Sequence, residues 1–271
     1  MAFAVLLKFP VLPINQSLCP IFPFLTFYRY LCKINYRTSS LFHYTTYNGL
    51  KSILKQGIIP NYCKEDFSTD KNNLVVGIPM VSFCDIPLTR TDEFTKRYGN
   101  HAIGLSKEWA LKNQINPILY INNEEIITSL KFYKEYKSSL NANLNLFGFS
   151  KKYMGEHNKK GQCNYEENEW RYILKEEDGI TWKWGETEYS TWRGSEDKKP
   201  EPDTFLKART LKFGIDDISY IIVEFEKQGL RIVDYISKLP SLRETDSVLG
   251  DEDKKLLYSK IISIERIRTD F

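Results

Sequence analysis

The chain of 271 residues has few of the residues from which common active sites are built. It contains only three histidines, His43, His101 and His157, and five cysteines, Cys19, Cys32, Cys63, Cys84 and Cys163. The cysteines are odd in number, widely spaced and form no CxxC pair. They are therefore expected as reduced thiols rather than as a disulfide framework or a zinc site. No HExxH, no GxSxG and no protein-kinase signature occurs, which leaves metal and triad schemes little to work with. The glycine-rich phosphate loops GxGxxG and GxxxxGK[ST] are also missing, so neither a Rossmann dinucleotide site nor a P-loop is supported. There is no internal repeat and no low-complexity tract.

Net charge is small as well, at +3, and it is unevenly placed. Residues 1–40 hold Lys8, Arg29, Lys33 and Arg37 and no acid, a balance of +4. The remaining residues carry 34 basic and 35 acidic side chains, a balance of −1, so overall charge gives no indication of a nucleic-acid partner. Phe9 to Tyr28 is uncharged and long enough to span a bilayer, yet it contains Pro10, Pro13, Pro20 and Pro23. Prolines remove backbone donors and break a helix, and lipid cannot satisfy the groups they free, so no stable span is expected. Residues 1–40 are instead expected to be an apolar, basic leader, poorly structured or reflecting a start site placed too far upstream. An export signal and a membrane-associating arm are the competing readings.

From Leu41 the pattern changes to short apolar runs separated by caps and turns, and residues 41–271 are expected to form one domain. Leu41 to Tyr44 reads as a strand, with Thr45 or Thr46 as the cap of a helix bearing Leu50, Ile53 and Leu54 and closed by Gly57. Gly77 to Cys84, Ala102 to Leu105, Pro117 to Ile121 and Glu169 to Leu174 read as strands. Further strands are expected near Leu211 to Phe213, Tyr220 to Val223 and Ile261 to Ile264, with a helix near Gly229 to Leu239. Helical spacing runs from Glu124 to Leu144, while Gly148 to Asn164 and Gly185 to Asp203 read as loops. Strands and helices mix without a regular βαβ rhythm, so the expected class is α+β, a single mixed sheet-and-helix domain.

Three polar features lie in this apolar setting. His43 ends the first strand and Ser82 lies within the Met80-Val81-Ser82-Phe83 run. Glu167 and Glu169 are two apart, so a strand through both would place the carboxylates on one face. The plainer alternative is a solvated strand entrance, with Arg171 on the same face as their partner.

The stretches Leu41-Phe42-His43-Tyr44-Thr45, Leu50 to Leu54 with Gly57, Ile78-Pro-Met-Val-Ser-Phe-Cys-Asp85-Ile-Pro-Leu88, Tyr98-Gly99 and Gly104 to Ala110 resemble the AbiGi family of bacterial abortive phage-resistance proteins. Asn116 to Tyr120, Lys152-Tyr153 and Glu169-Trp-Arg-Tyr172 continue the likeness, which spans Leu41 to the C-terminus. It implies a cytoplasmic role in phage defence, as an antitoxin whose partner is a toxin encoded beside it. A second similarity is to ADP-ribosyltransferases and implies an ADP-ribosyltransferase-like fold with NAD as substrate. Under it, Glu169 is the catalytic carboxylate, with Glu167 completing an E-x-E. His43 meets the ribose, Ser82 supports this NAD site, and a ring such as Tyr44, Phe83 or Tyr98 stacks on nicotinamide. The sequence departs from that larger group at Thr45, where many members have an acid, and at Ser82, which lies between Val81 and Phe83 rather than among hydroxyl residues.

Overall fold

Burial on both faces of the first strand sets the layout. In β1, Ser40–Thr45, Leu41 is fully buried in the largest core cluster, while Phe42 and Tyr44 are buried in another. Side chains along a strand alternate between faces, so β1 is covered on both. These elements come from a computed structural model, which describes residues 38–70, 73–135, 144–155, 163–175, 180–194, 203–242 and 248–270, all within the unit Arg37–Phe271. The leader expected over residues 1–40 lies almost wholly outside the described residues.

The strands that follow are β2 (Asn61–Asp66), β3 (Val75–Cys84), β4 (His101–Ser106), β5 (Asn116–Pro117), β6 (Leu119–Ile121), β7 (Ser150–Lys152), β8 (Glu169–Ile173), β9 (Lys183–Trp184), β10 (Ile218–Val223) and β11 (Ile261–Ser263). The main sheet has the order β11-β10-β4-β1-β3-β8-β5, with β2 and β9 also paired to β3, and β6 and β7 form a separate parallel pair. Within the main sheet β10 and β11 run parallel and the other neighbours antiparallel, so the fold is a mixed-sheet α+β domain.

Helices cover the face that carries Leu41, Val81, Phe83, Ile103 and Leu105. Leu50, Ile53 and Leu54 of α1 (Tyr47–Gln56) and Ile232 and Ile236 of a later helix, Glu226–Ser237, pack into that cluster. Thr46 starts α1, its hydroxyl accepting from the Gly49 N–H at 3.1 Å. Gly57 ends it at φ 88°, where a Cβ would lie 2.6 Å from the Leu211 carbonyl oxygen, so a glycine is required. Truncating a fully buried side chain such as Leu54 to alanine would cost about 2–5 kcal/mol.

Three expectations change. Gly148 to Asn164 is not all loop, because it contains β7. Gly185 to Asp203 contains a helix, Glu186–Arg193, whose Trp192 packs on Tyr62 with ring centroids 4.7 Å apart. Leu211 to Phe213 forms no strand, and Leu211 makes a single bridge to Ile58. The helix expected from Glu124 is described from Glu124 to Glu135, and residues 136–143 lie outside the described residues. Among the described residues, no helix is long and apolar enough to cross a membrane, and Cys63, Cys84 and Cys163 are free thiols.

Candidate functional site

Strand register opens a cleft in the sheet. On one side of β3, β2 pairs with Val75 to Met80, whereas β1 pairs at a single register, Phe42 opposite Cys84. Between these two partners the edge at Val81 to Phe83 meets neither strand. A backbone carbonyl in such a gap needs another donor, and His43 supplies it, its Nδ1 lying 2.9 Å from the Ser82 carbonyl oxygen. A carbonyl only accepts, so Nδ1 carries a proton. A cleft of about 570 Å³ lies at this gap, within the size range of small-molecule sites.

One face of the sheet supplies the floor. The pairings Cys84 with Glu169, Ser82 with Arg171, Cys63 with Ile78 and Glu65 with Val76 align these side chains on the same face. Arg171 is fully buried and all five of its N–H donors are used. Nε donates to Glu169 Oε1 at 2.7 Å, and Nη2 donates to Glu169 Oε2 at 3.0 Å and Glu65 Oε1 at 2.5 Å. Nη1 donates to the carbonyls of Gly148 at 3.0 Å and Ser150 at 3.1 Å. Lys151 Nζ then joins the two candidate catalytic carboxylates, at 2.9 Å from Glu167 Oε2 and 3.0 Å from Glu169 Oε2. Glu167 Oε1 accepts from Arg97 Nη1 at 3.1 Å and from the Tyr98 hydroxyl at 2.6 Å.

Fully ionised, the three glutamates and three cations of this network sum to zero. Burial alone would raise the Glu169 carboxyl, but Arg171, Lys151 and a hydrogen bond from Ser82 outweigh it and hold the group well below the usual carboxylate range. At Glu65 the balance reverses, and burial lifts the carboxyl above its ordinary value despite Arg171 and Lys151. Burial opposes the charge on Lys151, yet Glu169, Glu65 and Glu167 keep it firmly protonated. Burial, aided by Glu167 and Glu169, pushes the Cys84 thiol up, so it stays protonated and unreactive.

His43, Tyr44, Ser82, Tyr98, Glu167 and Glu169 all line the cleft. Phe83 does not. It is fully buried on the opposite face of β3, with its ring centroid 5.8 Å from that of Trp109, because its neighbour Ser82 takes the cleft face. Glu167 reaches the site by a different route from the one expected. It ends a 3-10 turn, Asn164–Glu167, before β8 begins, and Asn168 in the left-handed region at φ 43° turns the chain between the two carboxylates. Arg171 is the expected partner of Glu169, but it is buried rather than solvated. The residues the sequence reading did not find are Glu65, Arg97 and Lys151. Glu65 stands on β2, whose sequence Asn-Tyr-Cys-Lys-Glu-Asp has no apolar alternation, because its cleft side faces a polar site. Its signal was the period-two placement of Asn61, Cys63 and Glu65.

Comparison with known proteins agrees with this picture at the level of family. Residues 56–224 match the family described as "Putative abortive phage resistance protein AbiGi, antitoxin". The abortive phage resistance protein AbiGi of Lactococcus lactis subsp. cremoris is 24% identical over 226 residues, covering 72% of this chain and 89% of that protein. No solved structure matches. The family match spans more than half of the sequence and includes β3, β8 and the carboxylate network, and on that ground the chain belongs to the AbiGi family of abortive phage-resistance proteins.

Proposed function

We propose that this chain is the antitoxin of a toxin–antitoxin pair in abortive phage infection, acting in the cytoplasm by contact with its toxin rather than by turnover of a substrate. The observation that carries the reading is the engagement of Glu169, both of whose oxygens are held by Arg171 and Lys151. Cleaving nicotinamide from ribose builds positive charge on the sugar, and a carboxylate assists most where its negative charge is not already compensated. A carboxylate inside a neutral buried network offers little. The network instead fixes β7, β8 and β2 to one another, as a rigid recognition scaffold requires. The family description, which names an antitoxin, supports the same reading.

One observation favours a second reading, an NAD-dependent ADP-ribosyltransferase modifying a protein or nucleic-acid target. His43 and Glu169 line the same cleft, together with Tyr44 and Tyr98. Under this reading His43 and Ser82 orient the ribose, a tyrosine ring stacks on nicotinamide and Glu169 faces the developing charge.

The test is growth rescue. Growth arrest by the product of the neighbouring gene is measured alone, with this chain, and with its His43→Ala variant. Contact predicts relief by both forms and co-purification of the two proteins. Relief by neither form would overturn the antitoxin reading, and relief by the wild type alone would favour turnover in the cleft.

A further inference from the structure

Three side-chain donors in the cleft converge on one carboxylate. Arg97 Nη1 and the Tyr98 hydroxyl, from the last turn of the helix Thr91–Tyr98, and Lys151 Nζ, from β7, lie 3.1, 2.6 and 2.9 Å from the oxygens of Glu167. Glu167 is on neither element. It belongs to the short turn before β8 and is itself buried at 4% exposure, but Tyr165, 51% exposed, and the exposed Glu166 stand beside it, so its carboxylate would leave by movement of this turn rather than of the sheet.

We propose that Arg97, Tyr98 and Lys151 form a phosphate-binding site, that the Glu167 carboxylate occupies this site in the ligand-free cleft, and that a phosphorylated small molecule displaces it. Two cations and a hydroxyl suit a phosphate better than a carboxylate, because phosphate presents more oxygens and up to twice the charge. With Glu167 withdrawn, Arg97, Lys151 and Arg171 exceed Glu65 and Glu169 by one charge, and an entering phosphate restores the balance. The cleft of about 570 Å³ leaves room for more than the phosphate itself. The inference goes beyond the proposed function, since it needs neither a toxin nor turnover.

Calorimetric titration of inorganic phosphate, pyrophosphate and ADP into the full chain tests it, with wild type, Glu167→Ala and Arg97→Gln compared. Glu167→Ala removes the resident carboxylate and is expected to bind pyrophosphate at least about tenfold more tightly than wild type, while Arg97→Gln weakens it by about tenfold or more. ADP tighter than pyrophosphate identifies a nucleotide as the source of the phosphate, and equal affinities identify the phosphate group alone. Identical affinities in wild type and Glu167→Ala, or no effect of Arg97→Gln, would overturn the proposal. If Glu167→Ala does not fold, wild type against Arg97→Gln decides, and absence of saturable binding to wild type overturns it.

Discussion

Arg171 grips Glu169 through two parallel hydrogen bonds, Nε to Oε1 at 2.7 Å and Nη2 to Oε2 at 3.0 Å, although the two residues are only two apart on β8. The pair lies on one face of a strand, is almost wholly buried, and is extended by Glu65 on one side and Lys151 on the other.

Removing the guanidinium is therefore expected to be severe. Arg171→Met leaves Glu65 and Glu169 without their main counter-charge and the Gly148 and Ser150 carbonyls without a donor. A loss of about 3–5 kcal/mol is expected, read as a lowered denaturant midpoint. Arg171→Lys should rescue little, because an ammonium cannot reach two carboxylates and two carbonyls at once. A change under about 1 kcal/mol in either variant would show that the network does not hold the fold.

Acid should weaken the protein through Glu169. Its folded-state pKa is depressed, so its contribution is present above the unfolded value of about 4.3 and is lost as pH falls below that toward the folded value. Glu65 has the opposite sign. Its pKa is raised, so its contribution is full below the unfolded value and is lost as pH rises through the folded one. Urea melts at several pH values should show a shallower acid limb in Glu169→Gln and a smaller loss on the rising side in Glu65→Gln. Parallel profiles in all three proteins would refute both assignments.

His43→Ala removes the donor to the Ser82 carbonyl in the gap between β1 and β3. An unfilled acceptor there costs about 1–2 kcal/mol. Hydrogen exchange should quicken in β1 and the C-terminal half of β3 while the rest of the sheet stays protected. Unchanged protection at those strands would mean that the imidazole does not bridge them.

Gly99 sets the wall of the cleft beside Tyr98. It stands at φ 109°, and a Cβ would lie 2.3 Å from the Thr45 carbonyl oxygen. Gly99→Ala is expected to destabilise by about 1–3 kcal/mol, since the backbone must both strain and move. Thermal melting beside wild type measures it, and a neutral result would contradict the close approach.

Elements carrying their own signal were legible in the sequence. Thr46 and Gly57 bracket α1, Ser106 caps the helix Lys107–Lys112, and the apolar run of β3 reads as a strand buried on both faces. The clustering of His43, Ser82 and Glu169 was also reachable, though only through the similarity to ADP-ribosyltransferases, because each residue alone is unremarkable. What remained hidden depends on register. Lys151 stands in a polar, glycine-bearing stretch that resembles a loop, and only its pairing beside Leu119–Ile121 makes it a strand facing two carboxylates. Phe83 and Ser82 differ by one position and hence by one face, which the apolar neighbours of both do not disclose.

A Glu169 neutralised by Arg171 and Lys151 is proposed to support contact rather than turnover. The most direct test of this follows nicotinamide release from NAD by the purified full chain, with His43→Ala and Glu169→Gln alongside and the folding of each checked by melting. No release above that of NAD alone is expected in any of the three proteins. Steady release by wild type that disappears in folded His43→Ala and Glu169→Gln would contradict the contact reading and establish the cleft as an NAD-cleaving site.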